Sequence, residues 1–447
     1  MSTCRALPRG GVARARAVLG SRDFRRLLAA RMTSQIADGL FLAAVLLTVV
    51  FLPEQQSTVR GFALATTLFL LPFSLLGPFA GVFVDRWRRR RILVTVPLVR
   101  AGASLLILPG AAALVLVYVG TLVTFSAARL YQATSTAVIP RVLGTAGEAE
   151  PTARQASPER PETRPNGGSL LFAANTIAAI VGSAALFGGM FAGGQLAVRA
   201  GVPAVLALAC AAWCASALLG SSISSSLPPE RGSAIRLGGE LTSVIAELDD
   251  GLSRIRRTPA ALAPILAVAV GQFLQMLVIV VTLVVVKEGL KGGLLSFSWL
   301  VAAGGAGVFL GFLTVGPLGR RVPGHVLIGV AFALSALSLI PAIVALGSAT
   351  LSVGAAILGA SYAWTRVPAD TLAQRAVPDR YRGRVFTVMD LGFNIARVLG
   401  ALVAIPVVPR LGPQATLIAV ALLFLLWAPV TPLWLGGGRA GTPLRGG

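Results

Sequence analysis

From Leu262 to Val286 the chain carries no charged side chain, and its only side chains with a polar group are Gln272, Gln275 and Thr282. At a rise of about 1.5 Å per residue, a helix over this stretch is long enough to cross a hydrocarbon layer of about 30 Å. In such a layer every backbone N–H and C=O has to be satisfied within the segment, so a run of this kind is committed to a helix. Comparable runs recur at 27–52, 59–84, 92–109, 111–139, 169–198, 202–223, 260–286, 294–318, 325–346, 349–374, 385–409 and 414–435. With 55% hydrophobic and 13% charged residues, the chain has too few polar side chains to cover a soluble fold. The expected fold is all-α, a polytopic membrane protein of twelve transmembrane helices.

A net charge of +22 would suggest nucleic acid in a soluble protein. Here the basic residues segregate. The N-terminal tail, every second connection between spans and the C-terminus hold most of them, whereas the alternate connections hold only Arg60, Arg199, Lys287, Lys291 and Arg410. That asymmetry places both termini in the cytoplasm and demands an even number of crossings of the cell membrane. Nucleic acid is not needed to explain the charge.

Several chemistries find no residues to support them. Lys287 and Lys291 are the only lysines and neither follows a glycine, which excludes a phosphate-binding loop of the G-x-x-x-x-G-K kind. One histidine, His325, lies in a short connection and reads as a surface residue; there is no H-E-x-x-H, no G-x-S-x-G and no metal-ligating set. Cys4, Cys210 and Cys214 are too scattered for a disulfide framework, and the last two read as small buried residues. The expectation is a protein that is not an enzyme and uses no cofactor or metal.

The runs divide the chain into a cytoplasmic Arg-rich tail (1–26), a six-helix bundle (27–223), a linker (224–259), a second six-helix bundle (260–436) and a short tail (437–447). Residues 144–168, rich in Pro, Glu, Arg and Thr, read as a disordered loop inside the first bundle. Leu241, Val244, Ile245, Leu248, Leu252 and Ile255 recur at helical spacing in the linker, as in an amphipathic surface helix. The halves echo one another. Ala137-Val138-Ile139-Pro140-Arg141 has a counterpart in Ala376-Val377-Pro378-Asp379-Arg380, and Gly77-Pro78 with Gly81–Arg91 has one in Gly316-Pro317 with Gly319-Arg320-Arg321. Such echoes indicate two pseudo-symmetric bundles related by a parallel duplication.

The connection Gly81-Val82-Phe83-Val84-Asp85-Arg86-Trp87-Arg88-Arg89-Arg90 holds more than a basic anchor requires, because an anchor needs neither Gly81 nor Asp85. It resembles the signature of the major facilitator superfamily between its second and third helices, G-x-x-x-D-R-x-G-R-R, with Arg88 where that family usually has glycine. Arg129-Leu130-Tyr131-Gln132-Ala133 is similar to the R-x-x-Q-G motif of the proton-coupled efflux branch, with alanine for the glycine. The fifth span departs from that branch, lacking its Gly-Pro pair before Gly188-Gly189. The resemblance implies alternating access, with the first, fourth, seventh and tenth helices lining a central cavity. It also implies a conformational latch in which Asp85, with Gly81, Arg86, Arg89 and Arg90, contacts the start of the eleventh helix near Gly383–Val385.

A charged group at the bilayer centre costs about 3 kcal/mol on insertion scales, so each needs a partner, a wet cavity or a function. Asp38 lies at that depth with Gln35 one turn before it, and Gln272 and Gln275 lie at the matching depth of the seventh span. Arg129 and Arg366 reach the midplane from the cytoplasmic side. On those six residues a proton-coupling and substrate cavity is expected, with a structural Asp38–Arg129 pair and amide glue between helices as the alternatives. Asp390, Asn394 and Arg397 form one polar stripe on the eleventh span, read equally as an internal pair or a cavity wall. Arg100 reads as a residue that snorkels or pairs locally. The expected partners are a small-molecule substrate, protons and the lipid bilayer, and the expected state is a monomer. The resulting expectation is proton-coupled export of small amphipathic molecules; import by symport or uniport, and a membrane scaffold or sensor using residues 144–168, are the alternatives.

Overall fold

The computed structural model describes residues 11–50, 87–108, 114–143, 166–223, 246, 249–289, 293–377 and 382–436. Every regular element among them is helical: α1 (Gly11–Gly20), α2 (Arg22–Val50), α3 (Arg89–Ser104), α4 (Leu114–Val142), α5 (Asn166–Ser221), α6 (Pro259–Gly289), α7 (Gly293–Arg321), α8 (Gly324–Val344), α9 (Ser348–Ala376) and α10 (Arg382–Gly436). Six helices among the described residues are long and apolar enough to cross a membrane. The expected span 59–84 lies outside the described residues.

Two of those helices are each broken once. Gly201 in α5 sits at φ 77° and ψ 169°, and Gly412 in α10 at φ 79° and ψ 165°, a conformation that a side chain would strain. Both follow an Arg-x pair, and proline comes within two residues. The chain reverses at Gly201. Before it, Gly182, Gly189 and Gly193 meet Gln35, Ile36 and Leu40 in ascending order; after it, Trp213 and Ser216 bond Asp38 and Ala30 in descending order. The gaps expected at 199–201 and 410–413 coincide with these two breaks.

Long side-chain bonds tie helix ends to one face, called here the termini face. Ser21 Oγ donates to the Val142 carbonyl (3.2 Å), Arg26 donates to the Ser222 carbonyl (2.7 Å), and Arg89 donates to the Ala137 carbonyl (3.4 Å). Arginines that cover the carbonyls at helix ends also oppose the negative pole there. On the far face, Gln414 of α10 donates to the Ile343 carbonyl at the end of α8 (3.4 Å).

Apolar packing divides by sequence. One core cluster holds only residues between Ile255 and Phe424. The others hold only residues between Val18 and Ile223. Bare backbones meet along α2–α5, where a Cβ on Gly39 would strike the carbonyl of Leu186, and along α7–α9, where a Cβ on Gly307 would strike that of Ala356. Small residues at such seams let apolar helices gain dispersion contact without a hydrophobic drive.

Some expectations need adjustment. Most of the segment expected as a plain tail is helical, with Val18 and Phe24 buried against the first half. α5 begins at Asn166, so the last residues of the expected loop 144–168 are helical, while 144–165 lie outside the described residues. In the linker, residues 249–256 are helical and Ile255 is buried. Cys214 is exposed and Cys210 half-buried, because the neighbouring Trp213 takes the inward face.

Candidate functional site

In the first half a charge cluster is enclosed between α2, α3 and α5. Arg100, fully buried on α3, pairs with the carboxylate of Asp38 and donates to Ser34 Oγ (3.2 Å). Trp213 donates its indole N–H to the same carboxylate (3.1 Å), and the Arg100 guanidinium lies 4.7 Å from the Trp213 ring centroid. Phe41 closes the cluster with its ring 5.5 Å from that of Trp213. Of the two readings of Arg100, snorkelling and local pairing, the structure shows the pair: its side chain turns into the half, because Asp38 offers a fixed charge there and lipid offers none. The partner of Asp38 is Arg100 and not Arg129.

Gln35 lies one turn away in a different setting. Its Oε1 and the Nε of Arg31 are buried with no hydrogen-bond partner among the described residues, beside the bare backbone of Gly182. Arg31 makes one long bond, to Thr136 Oγ1 (3.4 Å).

A second charge cluster lies in the second half. Arg366 of α9 donates Nε to Asp370 (2.9 Å) and its terminal nitrogen to Asp390 of α10 (2.8 Å), with the guanidinium 4.3 Å from the Phe393 ring centroid. Arg129 of the first half lies within electrostatic range of Asp390. Asn394 is spent on the backbone, donating to the Asp390 carbonyl (3.0 Å). Arg397 stands within electrostatic range of Tyr362 and Arg366.

Beside this cluster a narrow pocket opens between α6, α8, α9 and α10, lined on its polar side by Gln272, Gln275, Ser335, Ser361, Tyr362, Thr365 and Arg366, and on its apolar side by Val268, Phe332, Leu358 and Phe424. The structure thus brings Gln272, Gln275 and Arg366 together. It places Asp38 and Gln35 in the other half, and Arg129 between the halves.

The pocket and the charge cluster occupy corresponding places. Asp38 holds in the helix beginning at Arg22 the position that Gln275 holds in the helix beginning at Pro259. Arg100 in α3 corresponds in the same way to Ser335 in α8, and Trp213 after Gly201 corresponds to Phe424 after Gly412. Where a guanidinium and an indole fill the first half, a serine and a phenyl ring leave a gap of about 20 Å³ in the second, room for about one water. Arg100, Trp213 and Ser361 were missed as partners because a sequence gives the depth of a residue in its helix, while its bearing around the axis depends on packing.

The described packing between halves gathers toward the far face. Phe191 of α5 lies 5.1 Å from Trp299 of α7, ring to ring, and a Cβ on Gly305 would meet Phe187. Leu46, near the far end of α2, packs on the core of the second half. Of the expected latch, Gly81, Asp85 and Arg86 lie outside the described residues; Arg89 and Arg90 bond carbonyls of their own half, at Ala137 and Ser221.

The family model described as Major Facilitator Superfamily matches residues 29–401, and matches a second time over 265–445. An uncharacterized MFS-type transporter of Mycobacterium tuberculosis is 27% identical over 411 residues, covering 89% of this chain and 87% of that protein. Another, of Bacillus subtilis, is 24% identical over 386 residues, covering 84% of each. Among solved structures, a POT family transporter in complex with 5-aminolevulinic acid superposes with a TM-score of 0.71 at 10% identity, covering 94% of this chain and 97% of that one. A peptide transporter POT in complex with sulfate gives 0.69 at 12% identity, covering 96% and 99%.

Proposed function

Because the chain belongs to the Major Facilitator Superfamily, and is accordingly a multi-pass membrane protein, we propose that it is a secondary active transporter working by alternating access. In this reading twelve spans form two six-helix bundles with both termini in the cytoplasm, and the protein uses a proton gradient to export small amphipathic molecules. One observation carries the reading. The halves pack through Phe191, Trp299 and Leu46 toward the far face, while the polar residues Arg129, Arg366 and Asp390 lie deeper and nearer the termini face. Two separate cores joined at one side are suited to rocking, and a ligand shifts such a balance only through its differential affinity for the two states.

We infer that the proton-coupling role lies elsewhere than at Asp38. Protonating Asp38 would strand the fully buried guanidinium of Arg100, so each proton taken up there would cost more than it returns. Asp370 and Asp390 share Arg366, and one of them can be neutralised while the other keeps the cation paired. We assign proton exchange to those two carboxylates, and substrate contact to Gln272, Gln275 and Arg366, with Arg129 of the first half within electrostatic range of Asp390. One proton crossing about 150 mV supplies roughly 3.5 kcal/mol, enough for a solute gradient of several hundredfold.

Inverted vesicles containing the protein, given an acid-inside gradient, test the reading. Substrate should accumulate inside, and collapse of the gradient should stop it. Movement in the opposite direction would make the protein an importer; flux that ignores the gradient would remove proton coupling.

A further inference from the structure

One helix crossing at the termini face carries cations that its counterpart in the other half lacks. α3 and the last stretch of α5 touch at Gly220, where a Cβ would lie 2.9 Å from the Leu93 carbonyl, and again at Cys210, whose Sγ lies 3.5 Å from the Ala101 carbonyl and 3.0 Å from Ser104 Oγ. From Leu93 to Ser104 the seam is about 16 Å long, the depth of one leaflet of a bilayer whose core is about 30 Å thick.

The outward side of this seam is apolar and open to lipid. On α3, Arg91, Leu98 and Leu105 are exposed at a spacing that puts them on one helical face; on α5, Cys214 and Leu218 do the same, with Leu98 47% and Leu218 72% exposed.

The termini-face end of the seam is basic. Arg26 donates to the Ser222 carbonyl (2.7 Å) and Arg90 to that of Ser221, so guanidiniums from α2 and α3 come together over adjacent carbonyls. Asp23 is held by Arg26 (3.3 Å). Arg22, Arg90 and Arg91 are exposed and pair with no carboxylate among the described residues. In the second half the corresponding residues are Ala263 for Arg26, His325 for Arg90 and Val326 for Arg91, and α8 still packs closely on α10, where a Cβ on Gly329 would meet the Ala428 carbonyl. The duplicated crossing thus forms without cations at these places, and those of the first half are left over for a partner.

We infer that this seam binds an anionic phospholipid, its headgroup phosphate held by Arg90 and Arg91 with Arg22 beside them, and an acyl chain following Leu218 and Leu98 toward Leu105. A soluble anion would have no use for the apolar stripes, and a zwitterionic headgroup would bring its own cation to a cluster already in excess of positive charge. The inference does not depend on what the protein carries.

The full-length protein, purified in detergent and stripped of lipid, is titrated with dioleoylphosphatidylglycerol, with dioleoylphosphatidylcholine, and with soluble glycerophosphoglycerol and inorganic phosphate. Native mass spectrometry follows retained lipid, and thermal unfolding follows stabilisation. Phosphatidylglycerol should stay bound and raise the unfolding temperature, while the other three should not. Its apparent affinity should fall about tenfold or more in Arg90→Gln with Arg91→Gln, and stay within about twofold of the parent in Arg320→Gln with Arg321→Gln, which removes the same charge from the exposed end of α7. Should the first pair fail to fold, Arg91→Gln alone, whose side chain bonds no described residue, should still weaken phosphatidylglycerol severalfold, as should Leu218→Gln, which leaves every cation in place. Equal retention of phosphatidylcholine, equal losses in the two pairs of variants, stabilisation by the soluble anions alone, or unchanged binding in the variants would each overturn the inference.

Discussion

Arg100 reaches from α3 into the first half and pairs with Asp38 of α2, and both side chains are sealed from solvent. Removing one member of a buried pair strands the other, at a cost of about 3–5 kcal/mol, whereas replacing both by apolar groups of similar volume is often neutral. Asp38→Asn and Arg100→Gln should each lower the unfolding temperature sharply, and Asp38→Leu with Arg100→Met should recover most of the loss. A double-mutant cycle in thermal unfolding measures this. Additive losses would show that the two charges are not coupled.

Gly201 and Gly412 break their helices at φ 77°, ψ 169° and φ 79°, ψ 165°, a region essentially restricted to glycine that costs another residue about 1–3 kcal/mol. A Cβ on Gly412 would meet nothing within 4 Å, so the expected penalty of Gly412→Ala is conformational alone. Gly412→Asn should cost about as much, since asparagine is favoured at ψ of about 47° and not at 165°. Unfolding of the two variants side by side checks this; an alanine variant as stable as the parent would mean that the turn relaxes.

The helices were legible because an apolar run of this length has one way to satisfy its backbone in lipid, and the run 260–286 became α6 (Pro259–Gly289) almost to the residue. The matching depths of Gln35 and Asp38 with Gln272 and Gln275 were legible for the same reason, since depth follows from counting. Which neighbour each residue meets was not. Arg100 and Arg129 both lie at the depth of Asp38, and only the packing of α3 against α2 and α5 selects Arg100. Ser361 gave no signal at all, because a serine in a span ordinarily bonds its own helix, as Ser335 does to Ala331 (2.8 Å), and only coordinates reveal that Ser361 does not.

Arg366 holds Asp370, through its Oδ2, and Asp390 together, while Asp370 Oδ1 is buried with no hydrogen-bond partner among the described residues. Arg366→Gln leaves two carboxylates near one another without their shared cation. Their ionised forms then lose support while their protonated forms do not, so the variant's deficit should be largest at high pH and shrink as acid neutralises them. Unfolding temperatures of parent and variant between pH 5 and pH 8 test this, with the gap expected to be widest at pH 8. A gap independent of pH would mean that Arg366 acts through its packing on Phe393.

If rocking of the halves moves the substrate, joining them on the far face must stop it. Gly194 of α5 faces Ser298 of α7, and a Cβ at position 194 would lie 2.9 Å from that of Ser298. A disulfide spans Cβ atoms about 3.5–4.5 Å apart, so Gly194→Cys with Ser298→Cys, in a background lacking Cys4, Cys210 and Cys214, needs only a small separation of the helices to form one. Oxidation should abolish transport, and reductant should restore it. Undiminished transport by the fully oxidised protein would show that this contact does not open, and rocking about the α5–α7 seam would have to be abandoned.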